Sequence, residues 1–287
     1  MKHAYLILAH HEYPVLKRLI QALDDPRNTI FIHFDKKIKE LPQLETIHSD
    51  LHILRERTDV RWGDISVVEA EYKLFEKAVA VDEFAYYHLL SGVDMPLKSQ
   101  DEIHNFFNRN QRKEFIGYST YDYRYEVDRK VNRFHLFPED FRPAPGGMQF
   151  VRRLVRFFAI KIQYMLRYRR NSGIDFKKGT QWVSLTDDFI KYTISKKDEV
   201  LTMYRNTFCS DEIFIHTLCW NSVFKDRIFN PDHEGKGCMR MIGWKDGVLY
   251  DWENKDYDAL IQSEYLFARK FNSKNIELVN RILNRIL

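Results

Sequence analysis

Through its first hundred residues the chain alternates short apolar runs with longer amphipathic stretches. Residues 4–9, 29–34, 51–54 and 84–90 read as strands, because each is a compact run of apolar and aromatic residues bounded by polar or turn-forming ones. Residues 13–23, 65–81 and 100–108 carry apolar positions at helical spacing, and Asp64 or Ser66 stands where a helix cap belongs. Strand–helix alternation of this kind predicts an α/β fold with a mostly parallel central sheet and helices on both faces. The second half continues with a strand over 181–185, a helix over 187–195 and a helix starting at Asp211. A loop follows Phe229, then a short strand over 240–243 and a closing helix over 275–287.

Two stretches break this rhythm. Residues 119–147 have no clean period, are polar and aromatic, and end in a Pro/Gly cluster. They read as a long loop or hairpin ordered over the site. Residues 150–170 hold seven Arg or Lys and no acid. At about 100° per residue, Arg152, Arg153, Arg156, Arg167 and Arg170 fall in one basic arc, with Lys161 interrupting an otherwise apolar face. Such a helix fits two settings: lying on an anionic membrane surface, or packed on the core with its basic stripe in water.

Composition narrows the class. At 287 residues the chain is long enough for one large α/β domain or two small ones. A hydrophobic fraction of 44% and a charged fraction of 30% are those of an ordinary globular protein, and a net charge of +4 gives no reason to expect nucleic acid as a partner. The 21 Phe, 16 Tyr and 5 Trp suit a surface that stacks on sugar rings, although a large core uses aromatics as well. The three cysteines, Cys209, Cys219 and Cys238, have no CxxC spacing, which argues for free thiols in a reducing cytoplasm. The start, MKHAYLILAHHE, is too short and lacks the small-residue site of a signal peptide, and no run nears the ~20 apolar residues that span a bilayer. A cytoplasmic protein is expected.

Chemistry enters at residues 83–98, EFAYYHLLSGVDMPLK, where an apolar strand breaks at Ser91-Gly92 and delivers one carboxylate, Asp94, before Pro96. In open α/β sheets ligands bind outside the carboxyl ends of strands, so Asp94 marks a site. Further on, Cys209-Ser210-Asp211-Glu212 places two carboxylates at the start of an apolar helix. They fit two roles, capping of that helix by Ser210 or Asp211, or a general base in Glu212 facing a cleft. Arg240 within Met239-Arg240-Met241-Ile242, and Lys270 beside Phe271, are cations set among apolar residues. Each is either half of a structural ion pair or one of two charges that converge on the Asp94 pocket and neutralise an anion. Asp256-Tyr257-Asp258 is formally Asp-x-Asp but reads as a helix start, not a metal site. The eleven His form no ligand-spaced cluster, and no Gly-rich phosphate loop is present.

Taken in order, these segments resemble the core 2/I-branching β-1,6-N-acetylglucosaminyltransferases, the family that also contains the protein xylosyltransferases. The segments are AYLILAHHE at 4–12, IFIHFDKK at 30–37, VRWGDISVVEAE at 60–71, HLLSGVDMPLKS at 88–99, RYEVDRK at 124–130, GTQWVSLTDD at 179–188, SDEIFIHTL at 210–218, Arg240 with Gly243, and LFARKF at 266–271. The resemblance implies a GT-A-type fold over 1–287, with a nucleotide-binding half over 1–118 and an acceptor and catalytic half over 119–287. It implies an inverting transfer from a UDP-sugar, most simply UDP-GlcNAc, with no cofactor and no divalent metal. The absence of a second Asp beside Asp94 agrees with that. By the same resemblance Glu212 is the catalytic base, Arg240 and Lys270 hold the diphosphate, and Asp35 sits in the nucleotide pocket with His10, Arg61 and Asp94 around it. Glu126 and Trp182 contact the acceptor. The membrane anchor and paired cysteines of animal members are missing from this chain, so the acceptor is expected to be a surface polysaccharide or lipid-linked oligosaccharide, with peripheral membrane contact through 150–170. A UDP-xylose donor, a metal-dependent transferase using Asp94, and a non-catalytic carbohydrate-binding protein on the same fold are the alternatives.

Overall fold

In the computed structural model, which describes residues 1–142, 147–171 and 173–287, the first half runs β1 (His3–Ala9), α1 (Tyr13–Leu23), β2 (Asn28–Phe34), β3 (Asp50–Ile53), α2 (Ser66–Val81), β4 (Tyr86–Ser91), β5 (Asp94–Pro96) and α3 (Gln100–Arg109). The second half runs α4 (Arg124–Val131), α5 (Gly147–Met165), β6 (Ser184–Thr186), α6 (Asp187–Ser195), α7 (Lys197–Tyr204), α8 (Phe214–Trp220), α9 (Glu234–Cys238) and β7 (Arg240–Ile242). The ribbon β8 (Trp244–Lys245) and β9 (Val248–Leu249), then α10 (Tyr257–Gln262), β10 (Phe267–Arg269) and α11 (Ile276–Ile286) complete it. The main sheet has the order β3-β2-β1-β4-β6, parallel throughout except for the antiparallel β4/β6 pair.

The largely apolar character of β1, β2 and β4 follows from burial on both faces. Alternate residues go to opposite cores: Tyr5, Ile7, Ile30, Ile32, Tyr86 and Leu90 to one, Ala4, Leu6, Phe31, Tyr87 and Leu89 to the other. The first core is covered by α1, α3 and α11 and the second by α2, α6 and α8, so helices lie on both faces of the sheet as expected. In α1, Val15, Leu16, Leu19, Ile20 and Leu23 give the buried stripe, and proline sits in the first turn, where its missing N–H costs nothing.

A second sheet, β5-β10-β7, builds the site. Its register sets Asp94 opposite Arg269 across an antiparallel pair, and Arg240 beside Phe267 across a parallel one. Residues about 175 positions apart in the chain, Asp94 and Arg269, therefore meet.

Several expectations need correction. The 119–147 stretch is not simply the expected long loop or hairpin: the helix α4 and a 3-10 turn at Pro138–Asp140 lie inside it, while 143–146 of its Pro/Gly cluster fall outside the described residues. The helix expected at Asp211 begins at Phe214, after a separate 3-10 turn over Ser210–Glu212. No side chain caps that turn, so capping does not account for the two carboxylates. For α2, the side chain that meets the first turn is Asp64, which accepts from the Ser66 N–H at 3.1 Å. The basic helix stops at Met165, leaving Arg167 and Arg170 beyond it, and Arg152 and Arg156 of α5 bond the body of the protein rather than water, while Arg153 is exposed.

Candidate active site

Glu212 opens onto a cleft of about 610 Å³ whose walls include Ser119, Lys178, Trp182, Glu234, Arg240, Trp244, Trp252 and Arg269. The segment opposite Glu212 is held close by Gly179, whose N–H donates to the Glu212 carbonyl at 3.0 Å. A Cβ at Gly179 would lie 1.7 Å from the Gly117 carbonyl oxygen, so the strand crossing there requires glycine.

Glu212 belongs to a four-member charge cluster. Its Oε2 lies 2.9 Å from Lys130 Nζ and 3.8 Å from Lys178 Nζ. Glu126 Oε1 lies 2.7 Å from the same Lys130 and 3.0 Å from Lys178. Burial pushes the Glu126 carboxyl up, but the hydrogen bonds from Lys130 and Lys178 outweigh it and hold it at about 2. Lys130 is nearly buried, and although burial disfavours its charge, the two carboxylates raise it above the usual lysine value. Glu212 Oε1 makes no hydrogen bond among the described residues, which leaves one carboxylate oxygen free toward the cleft. Behind it Asp211 is pushed upward by burial and then by the Glu212 charge, and Glu71, hydrogen-bonded by Gln181 at 2.5 Å, is pushed well above the carboxylate range by burial. Burial therefore favours the neutral forms of the two deeper carboxyls.

The cations occupy the other wall. Arg240 is almost wholly buried, and its guanidinium donates to the carbonyls of Cys238, Val183 (2.6 Å) and Leu89 (3.4 Å) and to Ser184 Oγ (3.1 Å). Burial lowers it to about 10 from the ordinary 12.5. It has no carboxylate partner among the described residues, and its Nε is a buried donor without an acceptor. Arg269 joins Arg240 in the cleft, pinned between Asp94 Oδ1 at 3.1 Å and the Trp182 ring, whose centroid is 4.3 Å from the guanidinium carbon. Trp182 is itself buried beneath that cation, while Trp244 presents an exposed face.

Asp94 is thus where the strand pattern put it, but its neighbours differ from expectation. Its carboxylate accepts from the Ser91 N–H (3.0 Å), Ser91 Oγ (2.5 Å) and Arg269. Lys270, one residue past the end of β10, does not converge on it: it pairs loosely with Asp251 at 3.5 Å, near His11, while Arg269 takes the Asp94 carboxylate and Arg240, without bonding it, feels its charge. His10, Asp35 and Arg61 form a separate group at the carboxyl ends of β1 and β2. Asp35 and Asp59 both bind Lys37, at 2.7 and 2.8 Å, Asp59 binds Arg61 at 2.8 Å, and His10 rests against His11 with both imidazoles lowered mainly by burial. Among the described residues no three His, Cys, Asp or Glu come together in a set able to hold a metal ion.

Of the residues singled out in the sequence, Glu212, Arg240 and Trp182 line this cleft. Glu126 reaches it through the shared lysines, whereas His10, Asp35, Arg61, Asp94 and Lys270 do not line it. Lys130, Lys178 and Arg269 went unrecognised. Lys130 could have been found from its four-residue spacing to Glu126 on one helix face; Arg269 shares with Lys270 the basic pair set between Phe267 and Phe271, and Lys178 carries no local signal.

A family model described as "Branch: Core-2/I-Branching enzyme" matches residues 3–269. Xylosyltransferase 2 of Homo sapiens is 22% identical over 309 residues, covering 98% of this chain and 33% of the human protein. Xylosyltransferase oxt of Drosophila melanogaster is 21% identical over 285 residues, covering 88% of this chain and 30% of its own. The chain spans about a third of the length of the curated relatives it matches. Among solved structures, mouse xyloside xylosyltransferase 1 in its apo form aligns over 96% of this chain and 99% of its own, at 8% identity and a TM-score of 0.37.

Proposed function

This chain belongs to the core-2/I-branching enzyme family, and on that premise we propose that it is a glycosyltransferase that moves GlcNAc from UDP-GlcNAc to a hydroxyl of an acceptor glycan, with inversion and without a divalent metal. The observation that carries the proposal is the single cleft in which a carboxylate with a free oxygen, Glu212, faces two arginines, Arg240 and Arg269. In the proposed reaction Glu212 takes the proton from the acceptor hydroxyl as its oxygen bonds to the anomeric carbon. The bond from that carbon to the diphosphate breaks from the opposite side, and UDP leaves with the electron pair. Arg240, a buried cation with no carboxylate bonded to it among the described residues, and Arg269 would stabilise that charge, as preorganised donors do in place of a Lewis acid.

In this reading the nucleotide is held by the first 118 residues, with Asp35, His10 and Arg61 near the base and ribose and Lys270 bridging toward the diphosphate, while residues 119–287 present the acceptor. Glu126 and the aromatic walls would hold the acceptor, a surface polysaccharide or lipid-linked oligosaccharide. The metal-free mechanism is supported by Asp94, the one carboxylate at the strand end, whose oxygens are already taken up by Ser91 and Arg269. Work in the cytoplasm is supported by Cys209, Cys219 and Cys238, which are all free and buried. A UDP-xylose donor is the second reading, favoured by the similarity to xylosyltransferases.

The test is a calorimetric titration of UDP, UDP-GlcNAc and UDP-xylose into the protein, in EDTA and then in Mn²⁺. UDP-GlcNAc binding in EDTA that is lost in Arg240→Ala is the expected result. Tighter binding of UDP-xylose selects the second reading, and binding only with Mn²⁺ refutes the metal-free one. No UDP binding in either condition rejects the transferase mechanism in favour of a carbohydrate-binding protein on the same fold.

A further inference from the structure

Helix α5 is inside out. It has 19 residues and not one of them is buried. The stripe it turns toward the protein is polar: Arg152 bonds Asp140, Arg156 donates to the carbonyls of Leu136 (2.9 Å) and Phe137 (2.8 Å), and Gln163 exchanges hydrogen bonds with the Phe134 backbone (2.7 and 2.8 Å). On the opposite side Phe150, Val151, Leu154, Val155, Phe157, Phe158, Ile162 and Met165 are between 41% and 75% exposed. At 100° per residue these positions cover an arc of roughly 160°, centred opposite the docking stripe. An apolar patch of this extent on a protein surface marks a face that is covered in use.

We propose that this face lies in the surface of an anionic lipid bilayer, with the helix axis in the plane of the membrane. Charge decides the occupant. From 147 to 174 the sequence contains seven Arg or Lys and no Asp or Glu. Arg153, Lys161 and Arg167 are exposed around the apolar arc and have no carboxylate partner among the described residues. A second copy of the chain would bring the same cations against one another, whereas a bilayer carrying anionic headgroups meets them with opposite charge. Lys161 sits within the apolar arc, where a long stem can lie along acyl chains while its ammonium reaches the headgroups. At about 1.5 Å per residue the helix is long enough for stable interfacial seating. It is not apolar enough to cross, since no described helix meets the length and hydropathy of a span.

The docking has a consequence that rests on the transferase reading. One flank of α5, between the apolar arc and the docking stripe, forms with α4 a cavity of about 970 Å³ lined by Arg153, Arg156, Lys161, Glu126 and Lys130, the last of them 2.9 Å from Glu212. A membrane-bound α5 sets the mouth of the acceptor side beside the headgroups, where a lipid-linked acceptor carries its sugar.

The test is co-sedimentation of the full chain with phosphatidylcholine vesicles and with vesicles that also contain phosphatidylglycerol. Binding to the anionic vesicles should exceed binding to the neutral ones by about tenfold or more, since each cation near such a surface contributes about fivefold. Salt should reduce that difference. Leu154→Asp with Phe158→Asp, outside the cleft, should remove the binding while UDP affinity stays unchanged, which shows that the variant folds. Equal sedimentation with both vesicles, or none with either, overturns the proposal. A dimer in sedimentation equilibrium that the same double variant dissolves would assign the face to a second copy instead. Vesicle binding without UDP binding would leave the docking intact and remove the transferase reading; UDP binding without vesicle binding would do the reverse.

Discussion

Glu212 and Glu126 share the same two lysines, and the sharing decides what each carboxylate can do. Glu126 uses Oε1 on both lysines and Oε2 on the Tyr121 hydroxyl (2.8 Å), so both of its oxygens already have partners. Glu212 spends Oε2 alone. Replacing Glu212 by Gln keeps the shape and removes the base, so transfer should fall by about 10²–10⁴, the usual contribution of a positioned base. The UDP dissociation constant of the variant, read by calorimetry, should stay within a few-fold; normal turnover would remove Glu212 from the mechanism. The charge cluster also makes a stability prediction. The carboxyl of Glu126 is held at about 2 in the folded chain against an ordinary 4.5, so its contribution is complete above pH 4.5 and is lost as pH falls through 2. Lys130→Met withdraws one of the two cations, and the midpoint of acid unfolding followed by tryptophan fluorescence should move to higher pH. An unchanged midpoint would mean that Lys130 does not hold that carboxylate in place.

At the scale of elements, α3 offers a clean case, because its start is fixed by local chemistry. Ser99 Oγ accepts from the Glu102 N–H (3.3 Å) and the Glu102 carboxylate accepts from the Ser99 N–H (2.9 Å), a reciprocal capping box away from the cleft. Ser99→Ala should cost about 1 kcal/mol in urea unfolding with no change in UDP affinity; a loss of UDP affinity would couple this helix to the site. Elements of this kind were legible in the sequence, since hydrophobic period and caps are local: α1 and α6 begin and end where the pattern placed them. What escaped was held by distant partners. Helix α4 has no side-chain cap and only Val127, Lys130 and Val131 buried, and it is tied down by ion pairs to residues 178 and 212. The bounds of β6 shifted for the same reason: the strand expected over 181–185 runs over Ser184–Thr186, where it pairs with β4. Of the two settings open to α5, the core-packed one with its basic stripe in water fails because it assumes an apolar body beneath, and this helix rests on backbone carbonyls and Asp140.

Across the whole molecule the cleft belongs to no single segment. Its walls come from residues 119–121, 178–182, 212, 233–244, 249–252 and 265–269, and they meet because β6 completes the sheet begun by β1 and because β10 lies between β5 and β7. This is why Glu212 and Arg240 could be singled out from their neighbours in sequence, whereas Arg269 and Lys178 could not: their partners, Asp94 and Glu126, are 175 and 52 positions away. The same interleaving predicts how a ligand acts on stability. A nucleotide held between the first-half strand ends and the Arg240–Arg269 wall binds only when both halves are in place, so it should stabilise them together. At a UDP concentration of about a hundred times its dissociation constant the gain is about 2.7 kcal/mol. Calorimetric unfolding in EDTA should then show one transition moving upward as a unit, with no further shift when Mn²⁺ is added with UDP. Two transitions, of which UDP moves one, would mean that the halves unfold separately and that the nucleotide is held by one of them. A shift that appears only with Mn²⁺ would place a metal between the diphosphate and Asp94, and would require Arg269 to leave that carboxylate.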